Sequence, residues 1–450
     1  MKILEHRLSL VTGRDNQGTE FLIGFMNNRG TSNDLELFVT TTSNTPADVT
    51  ITAPLYSPGS TLASTTVSRG DIEKITLSNG LRGVDVELGN KGVLISATQE
   101  ITVFGVNKEQ YSTDGFVAFP TDTLGTEYVL ITWSADGQFI ITGVTDSTTV
   151  DITLPTFVAS TLSVSYGGST YTNGDTFQVS LDRYQTFHCY QSTGDFTGTR
   201  LVSNHPVNVF SGAKKVAVKD TMTGSSSDHL VEQMMPVDTW GKDFFTISTP
   251  DRTVGDYFKI VASEDNTEIS LGGTVHSTIN AREFLLLNVN TGDYRTLTAD
   301  KAVMVVMFGK TVSSSNGDGV NGGDPQMTVL PPVPQFPSDY TFSTVQTPTG
   351  DFTNYALVVI DTAKTGDLLV DNVPASATWI PITGSANLVT ATFNIAPGSH
   401  SIYNNDPAAT FMSIAFGNAQ TNSYAYACGF RLAPINGVST NLINIAQLWC

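Results

Sequence analysis

Hydrophobic and polar residues alternate along most of this 450-residue chain. The segment "ADVTITAP", which begins at Ala47, places Val49 and Ile51 on one face and threonine hydroxyls on the other. A period of two is typical of β-strands, because successive side chains of a strand point to opposite sides. Helical periodicity never extends beyond a turn or two, and turn sequences such as "NNRG" and "TNGD" separate the alternating runs. The pattern predicts an all-β protein.

The strand-like segments recur in the same order four times. A segment with an acid or amide, an aromatic residue and then alternating apolar residues begins at Glu20, Glu127, Asp256 and Asn354. Each copy is followed by two short apolar strands, by a matched pair of strands such as "GVLISATQEITVFGVNK", and by a run that ends in proline. The period is roughly 100 residues, whereas solenoid and propeller units repeat at about 20–50 residues. The period therefore indicates whole small domains.

Seven or so strands in roughly 100 residues, joined by short turns, can close a two-layer sandwich. We therefore predict four tandem immunoglobulin-like β-sandwiches over residues 1–115, 116–228, 229–325 and 326–450, the last with an additional C-terminal closing segment. A large β-propeller whose units are split in two is the alternative.

The chain ends bear on this choice of architecture. The proline-terminated run can end one unit or open the next, but Tyr424–Pro434 has no fifth unit to open. A further strand-like piece, His6–Gly13, precedes the first unit. If these two terminal pieces meet, the four units close into a ring.

Composition restricts the partners. The formal net charge is −19, and only 14% of residues are charged, with Ser, Thr, Asn and Gly in their place. Nucleic acid is excluded as a partner, because its affinity comes mainly from Lys and Arg contacts to phosphates. An anionic membrane surface is excluded for the same reason, and no apolar stretch approaches the 18 residues of a membrane span. Cationic partners and divalent ions fit better, although an acidic surface also simply favours solubility.

The cysteines and the two chain ends say little about the fold or the location of the protein. Three cysteines are too few for a disulfide scaffold. Cys189 and Cys428 lie in strand-like runs and are expected to be buried apolar side chains; a disulfide between them is the alternative. Cys450 ends the chain, which suggests that the natural protein continues. The first residues lack the apolar core of a signal peptide, so either the protein is cytosolic or a signal has been removed.

One segment identifies a family. "DHLVEQMMPVDTWGKDF" (Asp228–Phe244), with "RLVSNHPVNVFSGAK" and "GFVAFPTDTLGTEYVL", resembles the N-terminal domain of the IgGFc-binding protein family, which includes a mucus protein of animal epithelia and bacterial surface proteins. The resemblance extends from about Gly18 to Pro434 and implies an extracellular or cell-surface adhesion role without catalytic residues. Cysteines flank the Asp-His-Leu-Val segment in the animal pattern. Here that flank has none, so no disulfide-tied loop is expected.

Two groups of polar residues are candidate sites. Asp228, His229 and Glu232 form a compact trio that can contact a partner or a divalent metal; a structural role joining two sandwiches is the alternative. The loop "SSSNGDGVNGGDP" offers oxygen ligands suited to Ca²⁺, and no other cofactor is expected. Its spacing departs from calcium-loop consensus and no bidentate Glu follows, so a loop without metal is the alternative. The candidate ligands are Asn316, Asp318, Asn321 and Asp324.

No motif for catalysis is evident. None of the six histidines lies in a G-x-S-x-G or H-E-x-x-H context, and no Gly-rich phosphate loop precedes a helix. We therefore predict a non-enzymatic extracellular adhesion or matrix module that binds glycans or glycoproteins such as mucins through loops and sheet faces. A self-assembling structural subunit or spacer is the second interpretation. A carbohydrate-active enzyme is the third, but the spacing of Asp and Glu does not indicate the carboxylate pair that it requires.

Overall fold

The computed structural model describes residues 14–30, 34–219, 226–311, 323–345, 352–419 and 422–436. Strands make up 54% of the structure and helices 5%, which confirms the all-β class. The helices of the described part are short 3-10 turns: Asn79–Leu81, Thr121–Thr123, Val237–Thr239, Val333–Gln335 and Thr362–Asp367. No helix in this part of the chain is long and apolar enough to cross a membrane.

The strands are grouped here into four consecutive units, which correspond to the four predicted sequence repeats. Unit 1 (17–117) contains β1 (Gln17–Ile23), β2 (Asp34–Thr40), β3 (Ala47–Thr52), β4 (Thr61–Val67), β5 (Glu73–Leu77), β6 (Glu87–Gly89), β7 (Val93–Glu109) and β8 (Ser112–Val117). Unit 2 (127–233) contains β9 (Glu127–Val129), β10 (Gly137–Gly143), β11 (Thr148–Thr153), β12 (Ser163–Tyr166), β13 (Ser169–Thr172), β14 (Thr176–Leu181), β15 (Thr186–Gln191), β16 (Arg200–Ser203), β17 (Val207–Val216) and β18 (Asp228–Gln233).

Units 3 and 4 complete the set. Unit 3 (241–329) contains β19 (Gly241–Phe245), β20 (Asp256–Ala262), β21 (Thr267–Leu271), β22 (Thr274–Ile279), β23 (Phe284–Val289), β24 (Thr296–Gly309) and β25 (Gln326–Val329). Unit 4 (339–427) contains β26 (Asp339–Ser343), β27 (Thr353–Asp361), β28 (Leu368–Val370), β29 (Val373–Pro374), β30 (Ile380–Pro381), β31 (Leu388–Ile395), β32 (Ser399–Asn404), β33 (Met412–Asn418) and β34 (Ser423–Ala427).

The same antiparallel pairing recurs in every unit. In unit 2 one sheet has the order β14-β11-β16-β9 and another has β18-β17-β10-β15, with β6 of unit 1 added at its edge. Unit 4 repeats both orders as β29-β28-β32-β26 and β34-β33-β27-β31. In units 1 and 3 one long strand, β7 or β24, takes part in both groups, so the two sheets are continuous. A propeller blade, by contrast, is a single four-stranded sheet.

The proline-terminated strands β8, β18, β25 and β34 each pair with the strand that precedes them. The divisions at residues 115, 228 and 325 stay predictions, as does the immunoglobulin-like character of the units. These four strands, here called the central strands, also pack on one another in a closed cycle, because β8 and β25 each contact both β18 and β34.

The two ends of the described chain meet. The Asn16 N–H donates to the Phe430 carbonyl oxygen at 3.1 Å, and the Leu432 N–H donates to the Arg14 carbonyl oxygen at 2.9 Å. Asp15 and Arg431 form an antiparallel bridge between these bonds. The predicted partner of the C-terminal run, His6–Gly13, lies outside the described residues. The residues that directly follow it make the contact described here.

The glycine that begins the repeated segments "GTEF" and "GTEY" makes the same close contact with a proline in both units. A Cβ atom on Gly18 would lie 2.4 Å from the Cβ of Pro120, and one on Gly125 would lie 2.6 Å from the Cβ of Pro236. Gly241 stands in the same relation to Pro332, at 2.2 Å. In units 1 to 3 a glycine at or just before the first strand therefore lies against the proline that follows the last strand, too close to leave room for a Cβ atom.

Side chains on the two faces of β7 belong to two different hydrophobic cores. Along β7, Ile101 and Val103 belong to the core of unit 1, whereas Phe104 belongs to the larger core shared by the other units. The Phe104 ring lies 5.0 Å from the ring of Tyr426 in unit 4. One strand thus buries both faces because it lies at a boundary between units. Cys189 and Cys428 are buried free thiols, as expected, and no disulfide joins them.

Candidate binding sites at the boundaries between units

The predicted polar trio lies on the central strand β18 and is buried. The Asp228 carboxylate accepts hydrogen bonds from the Thr113 N–H at 2.6 Å and the His229 N–H at 2.8 Å, and its second oxygen accepts from the Ser423 N–H at 3.4 Å. Units 1, 2 and 4 therefore meet at this one carboxylate. In this structure Asp228 contacts strands of its own chain, and contact with another molecule stays a prediction.

The other two members of the trio point to different neighbours. Glu232 Oε1 accepts from the Val329 N–H of unit 3 at 3.2 Å. His229 Nδ1 lies 3.3 Å from the carbonyl oxygen of Lys214. Among the residues that the structure describes, no group of three or more His, Cys, Asp and Glu side chains is arranged to hold a metal ion.

The buried trio belongs to a larger polar cluster between the central strands, here called the centre. The sequence analysis missed two further residues of this cluster, Asp114 and Arg252. Asp114 Oδ2 accepts from the backbone N–H groups of Val231 and Met327, each at 3.2 Å, and so links unit 1 to units 2 and 3. Arg252 is buried and donates to the Lys310 carbonyl, the Asp324 carbonyl, Asn418 Oδ1 and Ser423 Oγ at 2.7–2.9 Å. The available signal for Asp114 was an isolated charge within the apolar run "STDGFVAFP".

Burial controls the ionisation of this centre. Desolvation raises the pKa of Asp114, Asp228 and Glu232 well above the ordinary range, and the neighbouring carboxylates of Asp324 and Asp114 raise that of Asp228 further. Desolvation lowers the pKa of Arg252 to about 10, against the attraction of nearby carboxylates. A cluster this enclosed can stabilise the arrangement of units, but it offers little open surface to a ligand.

The predicted calcium loop is described only at its end. Asn316, Asp318 and Asn321 lie outside the described residues. Asp324 is 1% exposed, and desolvation raises its pKa from 3.8 to about 6. A calcium site in this loop stays a prediction.

An open cavity of about 1000 Å³ lies between units 1 and 4 and is here called the seam cleft. Eight of its eighteen lining residues carry a hydroxyl group, so the surface is rich in hydrogen-bond donors and acceptors. Its lining residues are Thr41, Thr42, Arg69, Gly70, Ser338, Asp339, Tyr340, Thr341, Asp371, Asn372, Ala396, Pro397, Ser399, His400, Ser401, Tyr403, Asn404 and Pro407.

Side-chain bonds hold one wall of the seam cleft in place. His400 Nδ1 lies 2.7 Å from Asp371 Oδ2, and its Nε2 lies 2.6 Å from the carbonyl oxygen of Ala396. The Tyr403 hydroxyl donates to Asn372 Oδ1 at 3.0 Å. Asp371 and Asn372 have positive φ angles of 51° and 65°, which form the tight turn between β28 and β29. The wall is therefore preformed and polar.

Comparisons with known proteins place the chain in a family. The sequence model of the family described as IgGFc binding protein matches residues 114–417, about two thirds of the chain. IgGFc-binding protein of Homo sapiens is 25% identical over 386 residues, which cover 83% of this chain and 7% of the human protein. The chain thus spans only a small part of that relative's length. The predicted resemblance is confirmed, and the chain belongs to the IgGFc-binding protein family.

Proposed function

We propose that this chain is a non-enzymatic extracellular adhesion or matrix module that binds glycoproteins such as mucins, and that the seam cleft holds part of their glycans. The hydroxyl-rich cleft of about 1000 Å³ is the observation that carries the proposal. The family adds support, since its human relative is called a binding protein. We also infer that the four units are immunoglobulin-like sandwiches that present such clefts on a rigid ring.

The chemistry of the cleft suits a sugar. Sugar hydroxyls both donate and accept hydrogen bonds, and so do the Ser, Thr and Tyr hydroxyls of the lining. The volume is at the upper end of the range of small-ligand sites, about 300–1,000 Å³. The Tyr403 ring adds an apolar surface on which the carbon face of a sugar can pack.

The placement of the acids favours binding without turnover. A glycosidase requires two free carboxyl groups on either side of the scissile bond. The lining contributes Asp339 and Asp371, and Asp371 is already paired with His400. We therefore propose that these acids position a ligand and do not cleave it.

Glycan arrays and calorimetric titration test the proposal. Tyr403→Ala should weaken glycan binding by about tenfold, because a lost ring contact and hydrogen bond together are worth about 1.4 kcal/mol. Tyr56→Ala, at an exposed tyrosine outside the cleft lining, should leave binding unchanged. An empty array would refute the glycan ligand, and binding insensitive to Tyr403→Ala would refute the cleft as its site.

Self-assembly is a second candidate supported by a separate observation. Val275 on β22 and Val373 on β29 are both exposed, and both strands lie at sheet edges. Edge strands with exposed β-branched residues can pair with another chain. Sedimentation velocity should then show concentration-dependent dimers that Val275→Lys reduces. A monomer at all concentrations would refute this second function.

A further inference from the structure

A buried lysine and a buried aspartate meet at the boundary between units 2 and 3. The side chain of Lys259, on β20, is 2% exposed, and that of Asp195, between β15 and β16, is 8% exposed. Lys259 Nζ donates to Asp195 Oδ2 at 3.1 Å. It also donates to the Thr132 carbonyl oxygen at 2.8 Å and to Thr197 Oγ1 at 3.0 Å. The pair therefore joins two units through side chains that are 64 positions apart in sequence.

The two oxygens of the Asp195 carboxyl group have different partners. Oδ2 faces the Lys259 ammonium, whereas Oδ1 accepts from the Thr132 hydroxyl at 2.9 Å. Oδ1 also accepts from the Thr197 N–H at 2.9 Å and from the Thr197 hydroxyl at 2.5 Å. Donors concentrated on one oxygen stabilise negative charge that develops there, as in an oxyanion hole. This arrangement makes the Asp195 Cγ more electrophilic.

Aromatic rings lie beside the pair. Lys259 Nζ is 4.5 Å from the centroid of the Phe284 ring and 5.5 Å from that of the Trp133 ring. Desolvation lowers the pKa of Lys259, although the Asp195 carboxylate acts in the opposite direction. Burying two charges in such surroundings costs free energy, and a neutral amide would remove both charges. The surroundings therefore favour the neutral amine and the neutral acid, which are the reactive forms of the two groups.

We propose that Lys259 and Asp195 condense to an intramolecular amide bond that joins unit 2 covalently to unit 3. The ammonium first gives one proton to the carboxylate. The lone pair of the neutral Nζ then forms a bond to Cγ, and the bond between Cγ and Oδ2 breaks. Oδ2 leaves as water, with the proton that it received and a second proton from Nζ. One amine and one carboxylic acid thus give one amide and one water, and no other reactant is needed.

The geometry suits this condensation. Reacting atoms about 3–3.5 Å apart in a rigid site react with effective molarities of about 10⁵–10⁸ M. Oδ2 is bonded directly to Cγ, so the distance of 3.1 Å between Nζ and Oδ2 places the amine beside the carbon that it attacks. A cavity of about 330 Å³ is lined by both Lys259 and Asp195, and it gives the leaving water an exit.

A second buried pair in the chain lacks one of these features. Lys108 Nζ lies 2.6 Å from Glu36 Oε1, and the two side chains are 6% and 1% exposed. Lys74 contacts the same oxygen at 3.0 Å, whereas Glu36 Oε2 is buried without a hydrogen-bond partner among the described residues. Without such a donor, negative charge developing on Oε2 is not stabilised. We therefore expect this pair to stay ionic, which makes it an internal control.

Mass spectrometry of the denatured native chain tests the proposal. The intact chain should be lighter than its sequence mass by one water molecule. Trypsin should give a branched peptide in which residues 184–200 are joined to residues 253–282, because the amide blocks cleavage after Lys259. Cleavage after Lys108 should be normal. A chain of full sequence mass, with Lys259 and Asp195 in separate linear peptides, would overturn the proposal, and this result does not depend on whether any variant folds.

Variants assign the lost water to the pair. Lys259→Arg removes the primary amine and Asp195→Ala removes the carboxyl group, so each variant should have the full mass of its own sequence. Lys108→Arg is the matched control at the second buried pair and should still lack one water. A water that is lost in all of these variants would come from another reaction, such as succinimide formation, and would overturn the proposal.

Two threonine variants test the hydrogen bonds to Oδ1. Thr197→Val should slow the loss of water by about a hundredfold, since removing one donor of an oxyanion hole costs about 10²–10³ in rate. Thr199→Val is the control, because Thr199 is also buried and its hydroxyl has no hydrogen-bond partner within the described part of the chain. The mass is followed with time after cell-free synthesis. Equal rates for the two variants would overturn the role of these donors, while the glycan function of the seam cleft would be unaffected.

Discussion

Replacing Asp324 with asparagine should stabilise the fold at neutral pH and have little effect below about pH 4. Asp324 lies beside the central strands, and desolvation raises its pKa from 3.8 to about 6, while the Ser226 hydroxyl, Arg252 and Lys215 act in the opposite direction. A carboxyl group with a raised pKa binds its proton more tightly in the folded chain than in the unfolded chain. The folded state is therefore destabilised as pH rises through the interval between these two pKa values.

The size of the effect follows from the pKa shift. A rise of roughly two units corresponds to at most about 3 kcal/mol, since one unit is about 1.4 kcal/mol. Asparagine keeps the shape of the side chain but loses the attraction between Asp324 and Arg252. We therefore expect a gain of about 1–2 kcal/mol in the free energy of unfolding at pH 7.5, and a difference near zero at pH 4.

Urea unfolding of the native chain and of Asp324→Asn at several pH values between 4 and 7.5 measures this difference. Asp71→Asn, which removes an exposed carboxylate, is the matched control. A difference that is constant with pH, or a loss of stability at pH 7.5, would refute the reasoning. Repeating the series with Ca²⁺ tests the predicted calcium site, because calcium bound by Asp324 would stabilise the native chain more than the variant.

Three further predictions follow from buried contacts. Arg252→Met should lower the free energy of unfolding by about 3–5 kcal/mol in urea titrations, since it leaves the neighbouring carboxylates uncompensated. Gly125→Ala should lower the melting temperature through overlap with Pro236, costing about 1–3 kcal/mol, whereas Gly366→Ala, with open space around it, should not. His188 should titrate near pH 4 by NMR, because burial lowers its pKa to about 4; its neutral form then contributes stability that is lost as pH falls from about 6.5 to 4.

The sequence predicted the strands best where only one face is buried. In β3 the buried and exposed residues alternate, as the "ADVTIT" pattern indicates. In β8 and β18 every residue is buried, because these strands lie between units and pack on both faces. Period-two alternation of burial is lost there, and a polar residue looks the same in sequence whether it faces solvent or the centre. For this reason the sequence left two interpretations of Asp228 open, a contact for a partner and a structural role that joins two units.

The location of cavities between units could not be predicted for a related reason. The seam cleft joins Thr41 and Arg69 to residues more than 250 positions later, such as Ser338. A smaller cavity, of about 330 Å³, joins Trp133 of unit 2 to Phe284 of unit 3. The repeats predict what each unit looks like, but the side chains at a boundary depend on how the units are arranged. That arrangement rests on long-range contacts, which a single sequence does not reveal.

The buried acids of the centre share one role: each accepts hydrogen bonds from backbone N–H groups of a neighbouring central strand. Each central strand pairs with only one neighbour, so backbone N–H groups along its other edge would be left without a ladder partner. Asp114 accepts from the N–H groups of Val231 and Met327, Asp228 accepts from that of Thr113, and Glu232 accepts from that of Val329.

Carboxylates thus replace a sheet ladder across the boundaries between units. A continuous ladder would tolerate a shift in register, whereas a carboxylate at a fixed position accepts only from the particular N–H groups within its reach. The raised pKa values are the energetic cost of this arrangement, and they follow from placing acids where their acceptor oxygens are needed. Because the seam cleft lies between two units, its shape depends on the arrangement of units that these buried acids stabilise.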